Sequence, residues 1–273
     1  MRFKFFYIVS LVLFTSCGNE ATKKSIINEQ QELAVDSLPA EKKQSPFEIG
    51  VLENKEPSFH LAYMHYRTIE GVDLLPYQQT INDLIVDYVG MPLADGVKKK
   101  KVVLIGDDFY RSVMKNFIAY YNEDKEAIPE LNDYTQEDTV SIDEQYEDFV
   151  QLHLFNYGYM GGAHGNANDS HYLISKETGN KLALKDVVKD VNKFTVIAEK
   201  YFRKSLELAE GDNLEEEGFW FENGFNCNEN FYFSGDKMIF VYNQYEIAPY
   251  AAGIIYNEIP LDKINSYLKF DIN

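Results

Sequence analysis

The part of the chain with the clearest chemical potential is Asn156–Gly165, which reads Asn-Tyr-Gly-Tyr-Met-Gly-Gly-Ala-His-Gly. Its single histidine, His164, is framed by Gly161, Gly162 and Gly165. Glycine is used where a backbone bends sharply or lets another group come close. A histidine beside such a backbone can exchange protons or hydrogen-bond a ligand. We therefore take His164 as a ligand-binding candidate; the alternative is that its ring nitrogens only fasten the loop to backbone carbonyls.

Tyrosines supply the other ligand-binding candidates. The chain holds 20 Tyr, 19 Phe and one Trp, and a tyrosine joins an apolar ring to a hydroxyl, which suits sugars and protein surfaces. The candidates are Tyr157, Tyr159, Tyr245 and Tyr250. The alternative is that these rings form the core of a domain without disulfides. For Tyr157 and Tyr159 we expect the core.

No metal site or cofactor is expected. His164, Asp169 and His171 have a spacing that permits a small metal cluster across a loop, but that spacing is generic. The chain has no phosphate loop, dinucleotide fingerprint, Gly-x-Ser-x-Gly or His-Glu-x-x-His motif. Because no acid or nucleophile is placed locally to complete a catalytic pair with His164, we expect a binding module rather than an enzyme. A small hydrolase centred on His164 is the alternative.

The first residues predict export and a lipid anchor. Residues 1–16 have a basic start and the apolar run Phe5–Phe14, interrupted only by Ser10. That run is shorter than the roughly 20 apolar residues of a membrane span, so it indicates a signal peptide. Small residues directly before Cys17 favour lipidation of Cys17, although Phe14 departs from the usual Leu. We expect a cell-envelope lipoprotein facing the periplasm or exterior; an ordinary signal peptide cut near Cys17 is the alternative.

Charge narrows the class of partner. The whole chain has a net charge of −18, and without Arg2 and Lys4 of the signal peptide its 24 basic residues face 44 acidic ones, a charge of −20. Such a chain is repelled by nucleic acid, and a cationic protein is steered toward it. Simple solubility is the alternative reading of this acidity. If Cys17 is lipidated, Cys227 has no partner, so stability must come from an apolar core.

The elements that must position these residues belong to an α+β fold of mainly antiparallel sheets with about four helices. Residues 17–46 are polar and predict a disordered tether. Residues 47–150 and 151–273 are expected to form either a single α+β region or two closely associated subdomains that meet near residue 150. The predicted helices are 76–89, 107–122, one from Asp190 to Gly211, and 261–268. Strands are expected within 47–69, from 139, at 149–155, 171–174, 182–188, 231–233, 238–242 and 254–259.

Three motifs carry a resemblance to a known family. They are Tyr159–His164, which reads Tyr-Met-Gly-Gly-Ala-His, then Glu177–Val187, and Tyr242–Gly253, which contains Tyr-Glu-Ile-Ala-Pro-Tyr. Together they resemble the extracytoplasmic module of lysozyme-sensing anti-sigma factors and the non-catalytic N-terminal part of certain peptidoglycan deacetylases. The resemblance covers about residues 55 to 270, and the last motif is its most specific part.

The resemblance implies a binding role. In the anti-sigma factors such a module binds lysozyme, a basic protein. Because residues 1–16 indicate a short signal peptide, we expect neither their cytosolic segment nor their membrane span here, and the sequence shows no histidine pattern of a deacetylase catalytic domain. We therefore expect recognition of a lysozyme-like cationic protein or a cell-wall glycan, with a structural envelope lipoprotein as the remaining alternative.

Overall fold

The computed structural model describes residues 45–89, 105–221 and 223–272. The predicted signal peptide, Cys17 and nearly all of the predicted tether lie outside these ranges. Within them, no helix has both the length and the apolar character needed to cross a membrane. Gln44–Asn273 forms one compact unit.

Five helices and eight strands make up the described chain, which confirms the predicted α+β class. The helices are α1 (Pro76–Val89), α2 (Asp107–Ala127), α3 (Leu184–Val187), α4 (Val191–Ser205) and α5 (Leu261–Ile264). The strands are β1 (Phe47–Asn54), β2 (Ser58–Tyr66), β3 (Thr135–Asp143), β4 (Phe149–Tyr159), β5 (Asn166–Ser175), β6 (Phe231–Ser234), β7 (Lys237–Tyr242) and β8 (Ile255–Pro260). Short 3-10 turns lie at Tyr250–Ala252 and Asn265–Tyr267.

The strands form two sheets. The first has the order β1-β2-β3-β4-β5, and the second has the order β6-β7-β8. All neighbours are antiparallel except β2 and β3, which are parallel. A parallel pair needs a long crossover, and α1 and α2 lie in the chain between β2 and β3. These two helices share one hydrophobic core with the first sheet.

Local sequence explains where the main helices begin. Proline suits the first helical position, where its missing N–H has no intrahelical partner, and α1 begins at Pro76 as predicted. The Asp190 side chain accepts a hydrogen bond from the Lys193 N–H at 3.1 Å, which caps α4 as predicted. α4 buries Phe194, Ala198 and Phe202 on one face.

The paired strands β4 and β5 serve both hydrophobic cores of the molecule. Neighbouring residues of a strand point to opposite faces of the sheet. On one face Val150, Leu152, Leu154 and Ile174 pack in the core beneath α1 and α2. On the other face Phe149 and Leu173 pack in the core formed with α4 and the second sheet. The subdomain boundary expected at residue 150 therefore falls inside a strand that both cores share.

The outer edge of β5 is covered by side-chain amides. The Asp169 N–H donates to Asn243 Oδ1 at 2.7 Å, and Asn243 Nδ2 donates to the Asp169 carbonyl at 3.1 Å. Asn230 accepts from the His171 N–H at 2.8 Å and donates to the same Asp169 carbonyl at 2.7 Å. These two asparagines give the edge strand the hydrogen bonds that a neighbouring strand would otherwise provide.

Hydrogen bonds cover the edge of β5 on both sides of these residues. The Ala167 N–H donates to the side-chain oxygen Oε1 of Gln244 at 2.7 Å, and the backbone N–H of Leu182 donates to the Leu173 carbonyl at 2.8 Å. Alternate residues of an edge strand direct their backbone polar groups outward, and the covered positions follow that spacing. We call Asn230, Asn243 and Gln244 the amide clamp.

Two further amides use the same geometry. Asn82 of α1 exchanges two hydrogen bonds with the backbone of Tyr66 at the end of β2, at 2.9 and 2.8 Å. Gln151 of β4 does the same with Phe233 of β6, at 2.6 and 3.0 Å. The second pair links the first sheet to the second.

Several predicted element bounds are wrong. α2 continues to Ala127 instead of ending near residue 122. α4 ends at Ser205 rather than near Gly211, because the backbone at Glu207 adopts a φ of +58° that a helix does not tolerate. Residues 182–188, predicted as a strand, contain the single turn α3, whose first N–H donates to Glu229. The last predicted helix divides into α5 and a 3-10 turn.

Asn243→Ala is expected to lower the free energy of unfolding by about 1–3 kcal/mol, because it leaves the Asp169 N–H without its acceptor in a partly buried place. Urea denaturation of the folded chain measures this change. Asn192→Ala, at an exposed position of α4, is the control and should change the free energy by no more than about 0.5 kcal/mol. Equal effects of the two variants would show that the clamp does not hold the β5 edge.

Candidate functional site

The glycine-rich stretch joins the end of β4 to the start of β5. Asn156, Tyr157, Gly158 and Tyr159 still belong to β4, so the strand is longer than predicted. The turn is made at Gly161 and Gly162, whose φ angles are +83° and +90°. Backbone with φ in this range favours glycine, so these two glycines reverse the chain.

Three side chains contact the backbone of Gly165. A Cβ atom built there would lie 2.5 Å from Tyr157 Oη, so the tyrosine ring occupies the space that a side chain would need. The Tyr250 hydroxyl donates to the Gly165 carbonyl at 2.9 Å, and His164 Nδ1 lies 3.1 Å from the same oxygen. The loop and the C-terminal Tyr242–Gly253 motif are therefore joined at this residue.

His164, Tyr245 and Tyr250 form a group of aromatic rings that we call the aromatic surface. The rings of His164 and Tyr250 stack, with centroids 3.7 Å apart and planes 18° from parallel. The Tyr245 ring lies 5.7 Å from that of Tyr250 and is 52% exposed. Tyr245 adopts a φ of +64°, which is uncommon outside glycine. The structure thus brings His164 together with two candidates that lie more than 80 residues further along the sequence.

The expectation that Tyr157 and Tyr159 lie in the core is wrong. Both are half-buried and belong to neither hydrophobic core. The Tyr159 hydroxyl donates to the Gly162 carbonyl at 3.1 Å and lies 3.2 Å from Asn132 Nδ2. Because strand β4 extends into the motif, the Tyr157 ring packs against Gly165 and the Tyr159 hydroxyl bonds the loop backbone. A ligand-binding role for them stays a prediction.

The Asp169 carboxylate lies close to two histidine side chains at the junction of the two sheets. His153 Nε2 lies 2.7 Å from Asp169 Oδ1, and His171 Nε2 lies 3.0 Å from the same oxygen. The two imidazole rings stack with centroids 4.3 Å apart and planes 3° from parallel. The Tyr256 hydroxyl of β8 donates to Asp169 Oδ2 at 2.7 Å. We call His153, Asp169 and His171 the histidine cluster.

Strand register explains the histidine cluster. His153 and His171 are direct partners across β4 and β5, and Asp169 is two residues before His171 on the same strand. All three side chains therefore lie on one face. His164, which the generic sequence spacing placed with Asp169 and His171, is not a member of this cluster, because it lies in the turn beyond the paired residues.

The pKa values of Asp169 and His171 are both shifted in this cluster. Burial alone raises the pKa of Asp169, but hydrogen bonds from His153 and Tyr256, together with the nearby His171, outweigh it and hold the pKa well below its usual range. Burial lowers the pKa of His171, and its contact with Asp169 offsets only part of that effect. The cluster therefore holds an ionised carboxylate beside a neutral His171 at neutral pH.

A cleft of about 480 Å³ lies beside the amide clamp. His171, Lys181, Glu229, Asn230 and Asn243 are among the residues that line it. His164 and the four candidate tyrosines are not. The aromatic surface, whose His164 and Tyr245 are exposed and whose Tyr250 is half-buried, lies outside this cleft, which suits contact with an extended ligand more than enclosure of a small one.

Comparison with known proteins agrees with this fold. Residues 184–262 match the family described as "Protein of unknown function (DUF3298)". This stretch contains the Tyr242–Gly253 motif but not the glycine-rich loop or the histidine cluster. A search of curated proteins finds no match to the chain.

Two crystal structures of DUF3298 family proteins are similar to this one. The protein from Bacteroides fragilis aligns with a TM-score of 0.62 at 17% identity, over 81% of this chain and 92% of its own. The protein from Pseudomonas aeruginosa PAO1 aligns with a TM-score of 0.52 at 15% identity, over 82% of this chain and 94% of its own. At such low identity the similarity shows a shared fold.

Gly165→Ala is expected to lower the free energy of unfolding by about 1–3 kcal/mol, because the added methyl group forces the Tyr157 ring away from the loop. Thermal or urea unfolding measures the loss. Gly211→Ala is the matched control, since a Cβ there meets nothing within 4 Å, and it should leave stability unchanged or slightly higher. A Gly165→Ala variant as stable as the control would mean that the ring does not need this space.

Proposed function

We propose that the chain is a lipid-anchored binding module of the cell envelope that recognises a cell-wall glycan through the aromatic surface. The observation that carries the proposal is the ring group of His164, Tyr245 and Tyr250, in which His164 and Tyr245 are exposed and Tyr250 is half-buried. The His164 and Tyr250 rings are held by contacts with the Gly165 carbonyl, so these two rings are positioned before any ligand arrives.

A sugar fits the chemistry of this surface. Sugar rings have apolar C–H faces and hydroxyl edges, and tyrosine has an apolar face with a polar tip. Tyr245 exposes about half of its surface, and its backbone adopts a positive φ, which is strained for a residue other than glycine. Maintaining a strained, exposed aromatic residue is typical of a functional position.

The envelope location rests on the N-terminal sequence. Its basic start, short apolar run and Cys17 are the features of a lipoprotein signal. The resemblance to the extracytoplasmic module of lysozyme-sensing anti-sigma factors gives separate support for an envelope role, and its most specific motif, Tyr242–Gly253, supplies two of the three rings of the aromatic surface.

A cationic protein such as lysozyme is the second candidate ligand. It is favoured by the net charge of −18, which speeds encounter with a basic partner at low ionic strength. The hydrolase alternative has less support. In the part of the chain that the structure describes, the His164 ring hydrogen-bonds a backbone carbonyl and stacks on Tyr250, with no carboxylate or hydroxyl bonded to it.

Glycan binding is tested by co-sedimentation of the purified chain with insoluble peptidoglycan. We expect retention of the wild type, and Tyr245→Ala should weaken it about two- to tenfold, the range that loss of one aromatic contact gives. Tyr120→Ala is the matched control because Tyr120 and Tyr245 are both 52% exposed. Retention that is absent, or equal in the two variants, would contradict the proposal. Retention on immobilised lysozyme that disappears with added salt would instead favour the cationic partner.

The lipid anchor has its own test. Cys17→Ala should leave the chain without lipid when cells are labelled with a radioactive fatty acid, because the proposed anchor begins with attachment of lipid to the Cys17 thiol. The wild-type chain should carry label. Label retained by the variant, or absent from the wild type, would contradict the anchor.

A further inference from the structure

We propose that the histidine cluster binds a divalent transition-metal ion such as Zn²⁺, with His153, Asp169 and His171 as its protein ligands. One ligand atom from each residue lies within 4.8 Å of the other two. Two imidazole nitrogens and one carboxylate oxygen are a donor set that zinc and its neighbours in the first transition row favour. This site is distinct from the aromatic surface, and nothing in the proposed glycan binding requires it.

The spacing of the donor atoms is close to that of a bound ion. A tetrahedral zinc site with bonds of about 2.0–2.1 Å keeps its ligand atoms roughly 3.3 Å apart. The two nitrogen–oxygen distances in the cluster are 2.7 and 3.0 Å, so each expands by only a few tenths of an ångström. The stacked rings of His153 and His171, now 3° from parallel, tilt so that both Nε2 lone pairs point at the ion.

A buried nitrogen without a hydrogen bond points to a missing partner. His171 Nε2 is buried and makes no hydrogen bond, although it lies 3.0 Å from Asp169 Oδ1. In the neutral imidazole this nitrogen can carry the lone pair that a metal ion accepts. Buried polar atoms normally have a partner. A metal ion would supply one.

The residues around the cluster hold the ligands as an outer shell does in metal sites. The Tyr256 hydroxyl fixes Asp169 Oδ2 and leaves Oδ1 for the ion. The Tyr232 ring stacks on His171 at a centroid distance of 3.9 Å. The amide clamp holds the backbone of Asp169 and His171. These contacts restrict the ligands before metal arrives.

The site keeps a route to solvent. Asp169 and His171 are buried, whereas the His153 side chain is 33% exposed and Tyr256 is 41% exposed. An ion enters past His153, and its remaining coordination position is open to water or to a ligand group. Three protein ligands with one open position are the pattern of zinc sites that act on a ligand, whereas purely structural sites are closed by four.

Calorimetric titration of the chelator-treated full chain with ZnCl₂ tests the site. We expect one equivalent of Zn²⁺ to bind. His153→Gln should weaken binding at least about tenfold by removing a ligand, and Tyr256→Phe should weaken it about tenfold by freeing the carboxylate. His60→Gln is the matched control, because His60 is another histidine paired with a carboxylate, 3.2 Å from Glu53, and it should bind like the wild type.

Two measurements separate loss of the site from loss of the fold. The melting temperature of each metal-free variant shows whether it is folded, and substitution by Co²⁺ gives a visible absorption spectrum that reports nitrogen and oxygen ligation directly. The proposal is overturned if the wild type binds neither Zn²⁺ nor Co²⁺, or if folded His153→Gln binds as tightly as His60→Gln. Because peptidoglycan retention is measured on metal-free protein, failure here leaves the aromatic surface untouched.

Discussion

The structure depends on hydrogen bonds to the backbone groups of β5, an edge strand that is buried on both faces. β4 and β5 pack against α1 and α2 on one side and against the second sheet on the other. β5 is last in its sheet, so from Ala167 to His171 its outward N–H and C=O groups have no neighbouring strand. The amide clamp supplies those hydrogen bonds from loops of the second sheet. Unpaired backbone groups in such a place are costly, so the contact between the two sheets is polar at the edge and apolar in the core.

This arrangement places both candidate sites. The clamp residues Asn243 and Gln244 are followed directly by Tyr245, so the segment that covers β5 also presents the aromatic surface. The clamped residues Asp169 and His171 belong to the histidine cluster. One set of hydrogen bonds therefore connects strand β5, the C-terminal motif and the histidine cluster. A movement of the amide clamp would therefore displace residues of both the aromatic surface and the histidine cluster.

Local features were predictable from the sequence, and pairings between distant residues were not. α1, the start of α4 and the hairpin of β6 and β7 follow from proline, a capping aspartate and alternating apolar residues. The cluster depends on register. His153 and His171 are equally far from Gly162, so a hairpin that closes there pairs them. That signal was available for His153, but Tyr256 and the clamp asparagines join the cluster only through packing of the second sheet, and no local pattern marks them.

Hydrogen exchange of backbone amides, followed residue by residue by NMR, tests the role of the amide clamp most directly. If side-chain amides hold the edge of β5, the N–H groups of Ala167, Asp169 and His171 should exchange as slowly as the core amides of β4, such as that of Leu152. Both sets would then open only with global unfolding. Exchange at these three positions that is orders of magnitude faster than at Leu152 would contradict the account and leave β5 with an open edge.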